Sequence, residues 1–183
     1  MKRIALLSDT HSYLDERTVD LLGECDEIWH AGDIGSCAVT DRLMQVKPLR
    51  AVCGNIDGAD LRVQFPLYLR FMCEQVDVLM THIGGYPGHY DRNLLPLLKA
   101  NPPKLLIAGH SHILKVIFDP KMQLLFINPG AAGQHGFHLV RTIVRFSIDG
   151  DQIKDLEVVE LGQRGQLVAK SGSTPVGPFG GTD

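Results

Sequence analysis

The chain has 183 residues, a formal net charge of −3 and 44% hydrophobic residues. That length predicts one domain, and the hydrophobic content excludes extended disorder. The acidic balance argues against a protein whose main role is to bind a polyanion, so we expect no stable nucleic-acid binding. Since no apolar run approaches the ~18 residues that cross a bilayer, we expect no membrane association and a cytoplasmic location.

Five short apolar runs in the first 110 residues are predicted to be buried strands. Helical spacing lies between several of them: after a cap at Asp15, after a cap at Ser36, and over residues 90–98. Alternating strands and helices favour parallel pairing and an α/β layer architecture. The five predicted strands are Ile4–Leu7, Ile28–Trp29, Ala51–Cys53, Val76–Met80 and Leu105–Ala108.

The second half of the chain has a different pattern. Four successive apolar segments with turn residues between them predict a β-meander, which would end the folded domain at residue 161. Residues 162–183 are rich in Gly, Pro and Ser and are predicted to be a flexible tail. The four predicted strands are Lys115–Asp119, Gln123–Ile127, Thr142–Ile148 and Gln152–Leu161.

Polar side chains follow each of the five early strands. A single Asp or Asn in such a position is usually a helix cap or turn residue, and a single His is usually structural. Here, however, carboxylate, amide and imidazole groups recur at the carboxyl ends of consecutive strands, where parallel sheets bind ligands. These oxygen and nitrogen donors suit divalent Mn, Fe, Zn or Mg. The residues are Asp9, His11, Asp33, Asn55, His82, His110 and His112.

In this order, the motifs resemble those of the calcineurin-like metallophosphoesterases, in particular their small single-domain bacterial and archaeal phosphodiesterase branch. The resemblance covers about residues 1–161 and implies a four-layer α/β/β/α sandwich with a metal centre at one edge. The motifs that carry it are Asp9-x-His11, Gly32-Asp33, Gly54-Asn55-x-Asp57, His82 and Gly109-His110-Ser111-His112.

The resemblance also implies a dinuclear centre with Asp33 as the shared carboxylate. Manganese is the first expectation for both ions, with iron, zinc, magnesium and nickel as alternatives. Two cations about 3.5–4 Å apart need an anionic bridge to relieve their repulsion, which agrees with this assignment. One ion would be held by Asp9, His11, Asp33 and His112, and the other by Asp33, Asn55, His82 and His110.

The implied function is hydrolysis of a small or nucleotide-like phosphodiester through attack by a metal-bound hydroxide. The alternatives are a phosphomonoesterase and a non-catalytic protein-binding scaffold of the same fold. The branch also forms homo-oligomers, and this chain is expected to be able to do so.

One position departs from the broad family pattern. Ile56 stands where the commonest third motif has a His that helps to protonate the leaving group. No catalytic residue is therefore assigned. His135 and His138 are alternatives for this role, although both are expected to be solvated loop residues.

Four other polar residues carry structural expectations. Arg141 and Arg145 alternate along a predicted strand and are expected to be solvated charges. Asp57 is expected to bind loop backbone, and His30 to pack beneath the site.

Overall fold

The computed structural model describes residues 1–165, which form twelve strands and four helices. No helix among these residues has the length and apolar character needed to span a bilayer. In chain order the elements are β1 (Lys2–Leu7), α1 (Glu16–Gly23), β2 (Glu27–His30), α2 (Cys37–Val46), β3 (Leu49–Ala51), α3 (Ala59–Gln64), β4 (Tyr68–Cys73), β5 (Val76–Thr81), β6 (Gly85–Tyr86), β7 (His89–Tyr90), α4 (Leu95–Ala100), β8 (Leu105–Ile107), β9 (Lys115–Asp119), β10 (Leu124–Asn128), β11 (Val140–Asp149) and β12 (Gln152–Gln163).

Two five-stranded sheets form the body of the molecule. The first has the order β12-β11-β1-β2-β3 and the second the order β4-β5-β8-β10-β9, while β6 and β7 form a separate small hairpin. Strands β1, β2 and β3 are parallel, as are β5, β8 and β10. The predicted parallel pairing is therefore confirmed, but the early strands are divided between two sheets.

The sheets pack face to face, with α1 and α2 on the outer face of the first and α4 on the outer face of the second. Side chains such as Leu6, Trp29 and Met80 fill the space between the sheets. Leu22 and Leu43 pack α1 and α2 against the first sheet, in a cluster that also contains Leu7 and Ile28. Leu98 of α4 packs in a third cluster, with Leu106 and Phe126 of the second sheet. This arrangement confirms the predicted four-layer α/β/β/α sandwich.

The predicted β-meander is wrong. Strands β9 and β10 form a hairpin in the second sheet, whereas β11 and β12 form a hairpin in the first, where β11 pairs with β1. Local turn chemistry predicts each hairpin correctly but does not specify the sheet that each hairpin joins. Strand β12 continues to Gln163, and the predicted tail from residue 166 onward lies outside the described residues.

The predicted helices have mixed outcomes. Asp15 caps α1 as expected, since its Oδ1 accepts a hydrogen bond from the Thr18 N–H at 2.8 Å. Ser36 occupies the N-cap position of α2 without a side-chain capping bond. The helix predicted over residues 90–98 corresponds to α4, which begins only at Leu95 with Pro96 in its first turn, while Tyr90 lies in β7. Proline fits the first turn of a helix because a backbone N–H at that position would have no partner within the helix.

The expectation that Arg141 and Arg145 are solvated is wrong. Arg141 is 1% exposed; its Nε donates to the Ala132 carbonyl, and its Nη2 lies 2.9 Å from an Asp15 carboxylate oxygen. Arg145 is 7% exposed and is paired with Glu24 and Glu157. Both residues are buried because β11 lies inside the first sheet, between β12 and β1. The carboxylate partners compensate for the hydration that the two guanidinium groups lose.

A buried carboxylate joins the first three parallel strands. Glu27 on β2 accepts hydrogen bonds from Lys2 of β1, from the Trp29 indole at 3.1 Å and from Arg50 of β3 at 2.9 Å. Burial raises the pKa of Glu27, but these donors outweigh that effect and lower the pKa to about 2. The ionised carboxylate therefore stabilises the folded state.

Replacing this carboxylate should destabilise the protein in a pH-dependent way. We expect Glu27→Gln to lower the free energy of unfolding by about 1–3 kcal/mol at pH 7. This range allows for solvent screening, because Lys2 and Arg50 are partly exposed. The difference from wild type should shrink as the pH falls from 4.5, the ordinary pKa, towards 2, because the folded state then loses the ionised form. Urea unfolding followed by the fluorescence of Trp29, the single tryptophan, measures it. Glu160→Gln, at an exposed position on β12, is the control, and a difference independent of pH would contradict the account.

Candidate metal centre

The carboxyl ends of the parallel strands of both sheets meet at one edge of the sandwich. Backbone bonds connect the loops there: the Asp9 N–H donates to the Gly32 carbonyl, and the Gly109 N–H donates to the His82 carbonyl, each at 3.0 Å. His82 Nδ1 lies 2.8 Å from the Ala31 carbonyl and so links the second sheet to the first. The sequence-predicted ligand residues come together at this edge: Asp9, His11, Asp33, Asn55, His82, His110 and His112.

One group of three side chains is formed by Asp9, His11 and His112, whose candidate ligand atoms all lie within 4.8 Å of one another. His112 Nε2 lies 3.2 Å from Asp9 Oδ1 and 3.4 Å from His11 Nε2. Asp9 is fully buried, and its Oδ1 has no hydrogen-bond partner. A buried carboxylate oxygen without a donor is costly, and a bound cation would compensate for it.

A second group is formed by Asp33, His82 and His110. His82 Nε2 lies 3.1 Å from Asp33 Oδ1 and 3.1 Å from Asn55 Oδ1. In a neutral ring whose Nδ1–H donates to the Ala31 carbonyl, Nε2 carries a lone pair that faces these two oxygens. A cation or a proton would stabilise this arrangement, which fits a metal site.

Asp33 lies between the two groups. Its Oδ1 faces His82 at 3.1 Å, and its Oδ2 faces His11 at 3.7 Å. Burial raises the pKa of Asp33, but the hydrogen bond and charge of His82 outweigh this effect and lower the pKa. For His82 the signs are reversed: burial lowers its pKa, but Asp33 and Asp9 outweigh this effect, and the pKa is raised. The ionised carboxylate therefore offers one oxygen to each group.

The backbone at this edge is unusual. Nine non-glycine residues within 1–165 have positive φ, and five of them belong to the candidate ligand set. Such conformations cost of order 1–3 kcal/mol each, and they persist at functional sites where the surroundings enforce them. The five are Asp9, His11, Asp33, His110 and His112.

Close approach explains the glycine before Asn55. A Cβ atom on Gly54 would lie 2.0 Å from Asp33 Oδ1 and 2.2 Å from the Asp33 backbone nitrogen. The loop that carries Asn55 can therefore reach the shared carboxylate only with glycine at this position.

His30 lies beneath the site, as expected. Burial lowers its pKa to about 4, so the ring is neutral. The Gly32 N–H donates to Nδ1 at 3.1 Å, which leaves the proton on Nε2, 3.0 Å from Thr10 Oγ1. These bonds connect the loop before Asp33 to the loop between Asp9 and His11.

Asp57 and Arg62 fix the loop that carries Asn55. Asp57 accepts hydrogen bonds from the Gly35 N–H at 2.8 Å and from the Gly54 N–H at 2.7 Å, in agreement with the expectation for this residue. Arg62 donates to the carbonyls of Asp57 at 2.7 Å and Gly54 at 2.8 Å. Arg62 lies in α3, just after the Gly54–Asp57 motif. The sequence patterns predicted neither α3 nor β4, and no local pattern reveals the role of Arg62.

The two loop histidines have different environments. His135 is exposed, but its ring centroid lies 4.8 Å from that of His11. His138 is half-buried, packs 5.3 Å from the His112 ring, and has a buried Nδ1 without a hydrogen-bond partner. The expectation of solvation is therefore wrong for His138, and both residues adjoin the first group.

Two cavities open at the site and share Asn55. One, of about 310 Å³, extends from Asn55 and His82 towards Tyr68 and Asn93. The other, of about 520 Å³, is lined by His11, His112 and the loop histidines. Asp33 and His110 also line the second cavity, so most of the candidate metal centre faces that cavity, and the first cavity adjoins it at Asn55 and His82.

The chain belongs to the calcineurin-like phosphoesterase superfamily, whose domain model matches residues 1–151. The fold and the motif order both agree with this membership.

Individual relatives extend the comparison. The chain is 27% identical to a probable metallophosphoesterase from Methanothermobacter thermautotrophicus. That alignment covers 87% of this chain and 92% of the relative. An archaeal phosphodiesterase structure aligns with a TM-score of 0.68 and 20% identity, over 86% of this chain and 99% of that one. Vps29 from Entamoeba histolytica, solved with Zn²⁺, aligns with a TM-score of 0.67 and 16% identity, over 86% and 98%. At these identities the two structures show a shared fold.

Removing the central carboxylate should abolish tight metal binding. We expect Asp33→Asn to weaken Mn²⁺ affinity by at least about 100-fold, since each group loses an anionic oxygen. Isothermal titration of metal-stripped protein measures the affinity and the stoichiometry. Asp20→Asn, at an exposed position on α1, is the matched control. An Asp33→Asn variant that retained wild-type affinity would contradict the assignment.

Proposed function

We propose that this protein is a metal-dependent phosphodiesterase with a dinuclear centre. The observation that carries the proposal is the position of Asp33, whose two carboxylate oxygens face two different groups of histidines. One ion would be held by Asp9, His11, Asp33 and His112, and the other by Asp33, Asn55, His82 and His110.

The donor set is made of carboxylate, amide and imidazole groups, which manganese, iron, zinc, magnesium and nickel all accept to different degrees. We propose manganese as the working metal. When bound, the ions would supply Lewis acidity, which lowers the pKa of coordinated water and offsets negative charge on phosphoryl oxygens.

The protein's own residues have limited capacity for proton transfer near Asn55. Ile56 occupies the next position and is 46% exposed, but its side chain has no proton to transfer. Its backbone N–H makes a hydrogen bond to Asp33 Oδ1 at 3.1 Å. The side-chain NH₂ of Asn55 can donate to a phosphoryl oxygen. Substrates whose leaving oxygen is stable without a proton should therefore react best.

The two cavities favour a diester over a monoester. A phosphodiester carries two organic substituents, and a second cavity adjoins, at Asn55, the cavity that most of the candidate ligands line. A monoester would fill only one of them.

A second candidate is a non-catalytic scaffold of the same fold. The fold likeness to Vps29 and the isoleucine at position 56 favour it. The full set of candidate ligand residues at the sheet edge favours the enzyme.

Hydrolysis of bis(4-nitrophenyl) phosphate tests the proposal. We expect turnover only after metal-stripped protein is loaded with Mn²⁺, a slower rate on 4-nitrophenyl phosphate, and a loss of at least about 100-fold in kcat/KM for Asp33→Asn. The Asp20→Asn control should match wild type. Absence of turnover in protein that titration shows to hold two ions would favour the scaffold.

A further inference from the structure

Of the two cavities at the site, the smaller one has the features of a substrate-binding subsite. Metal binding alone does not require these features. It begins at Asn55 and His82 and extends away from the other candidate ligands. Its volume of about 310 Å³ lies at the lower end of the range of small-molecule pockets, about 300–1,000 Å³. It therefore suits a single small substituent rather than a polymer.

Three large apolar side chains line this cavity and remain exposed. Leu67 is 54% exposed, Tyr68 37% and Ile83 41%. Tyr68 begins β4 and pairs in register with Thr81, the residue before His82. A cluster of exposed apolar groups directly beside a polar centre is typical of a binding surface.

Polar side chains also line this cavity. Asp91 and Asn93 line the cavity, and Asp91 Oδ1 accepts a hydrogen bond from the Asn93 N–H at 2.8 Å. The carboxylate favours N–H donors and repels an anion, whereas the Asn93 amide can both donate and accept. An uncharged ligand with polar groups along its edge fits this chemistry.

The cavity wall is also fixed in place. Arg62 lines it and holds the Asn55 loop through bonds to the Gly54 and Asp57 carbonyls. Since these bonds occupy Nε and Nη2, much of the guanidinium's capacity is directed to the protein's own backbone rather than to a second phosphate.

We propose that this cavity binds one ester substituent of the substrate, and that this substituent is a planar, uncharged heteroaromatic group of nucleobase type. Its face would lie against Tyr68, and its polar edge would face Asp91 and Asn93. The assignment rests on the proposed phosphodiesterase function and specifies its substrate class.

Matched substrates test the subsite. Thymidine 5′-(4-nitrophenyl) phosphate, benzyl 4-nitrophenyl phosphate and methyl 4-nitrophenyl phosphate share one leaving group and differ in the other substituent. We expect Mn²⁺-loaded wild type to prefer the thymidine ester to the methyl ester by about tenfold in kcat/KM. Tyr68→Ala should remove most of this preference, mainly through KM. Equal kcat/KM values for the two esters in wild type would overturn the proposal.

Two variants make the test specific. Tyr86→Ala is the matched control, since Tyr86 is similarly exposed at 41% but packs under Lys115. It should keep the wild-type preference. Asn93→Ala should weaken kcat/KM for the thymidine ester but not for the benzyl ester, because only the base has a polar edge. Equal loss on both esters would overturn the nucleobase assignment and leave an aryl site.

A binding measurement separates this proposal from the proposed function. In metal-free protein, thymidine should shift the backbone amide resonances of Tyr68, Ile83 and Asn93, and Tyr68→Ala should weaken that binding. This result would support the subsite even if no ester were hydrolysed. Shifts confined to residues outside the cavity would overturn it, whatever the enzyme's activity.

Discussion

The structure depends on the burial of two carboxylates, Asp9 and Asp33, where the two sheets meet. Charges removed from water need compensation, and Asp9 Oδ1 makes no hydrogen bond. The hydrogen bonds that Asp57 accepts and Arg62 donates hold the loops in this arrangement, and several ligand residues adopt left-handed backbone there. Divalent cations would supply the missing positive charge, so the strained backbone and the buried carboxylates have a common explanation.

Much of this edge could be predicted from sequence because each parallel strand ends in the same kind of residue. Buried apolar runs identify strands β1, β2, β5 and β8, and the carboxyl ends of parallel strands converge. The seven candidate ligand residues follow from that rule, and the structure brings them together. Their role as ligands stays a prediction until metal is measured.

Other features depended on tertiary context. The sequences of strand β4 and the short helix α3 lack a strong hydrophobic period, and β4 carries the tyrosine of the proposed subsite. Arg141 appeared to be a surface charge because its partner, Asp15, lies far away in sequence. The separation of the late hairpins between two sheets is likewise a long-range choice that turn residues do not encode.

The most direct test is anomalous diffraction at the manganese edge from crystals grown with Mn²⁺. The account predicts two peaks on either side of Asp33, one beside Asp9, His11 and His112 and the other beside Asn55, His82 and His110. Their separation should be about 3.5–4 Å. A single peak, or peaks away from Asp33, would contradict a carboxylate-bridged dinuclear centre.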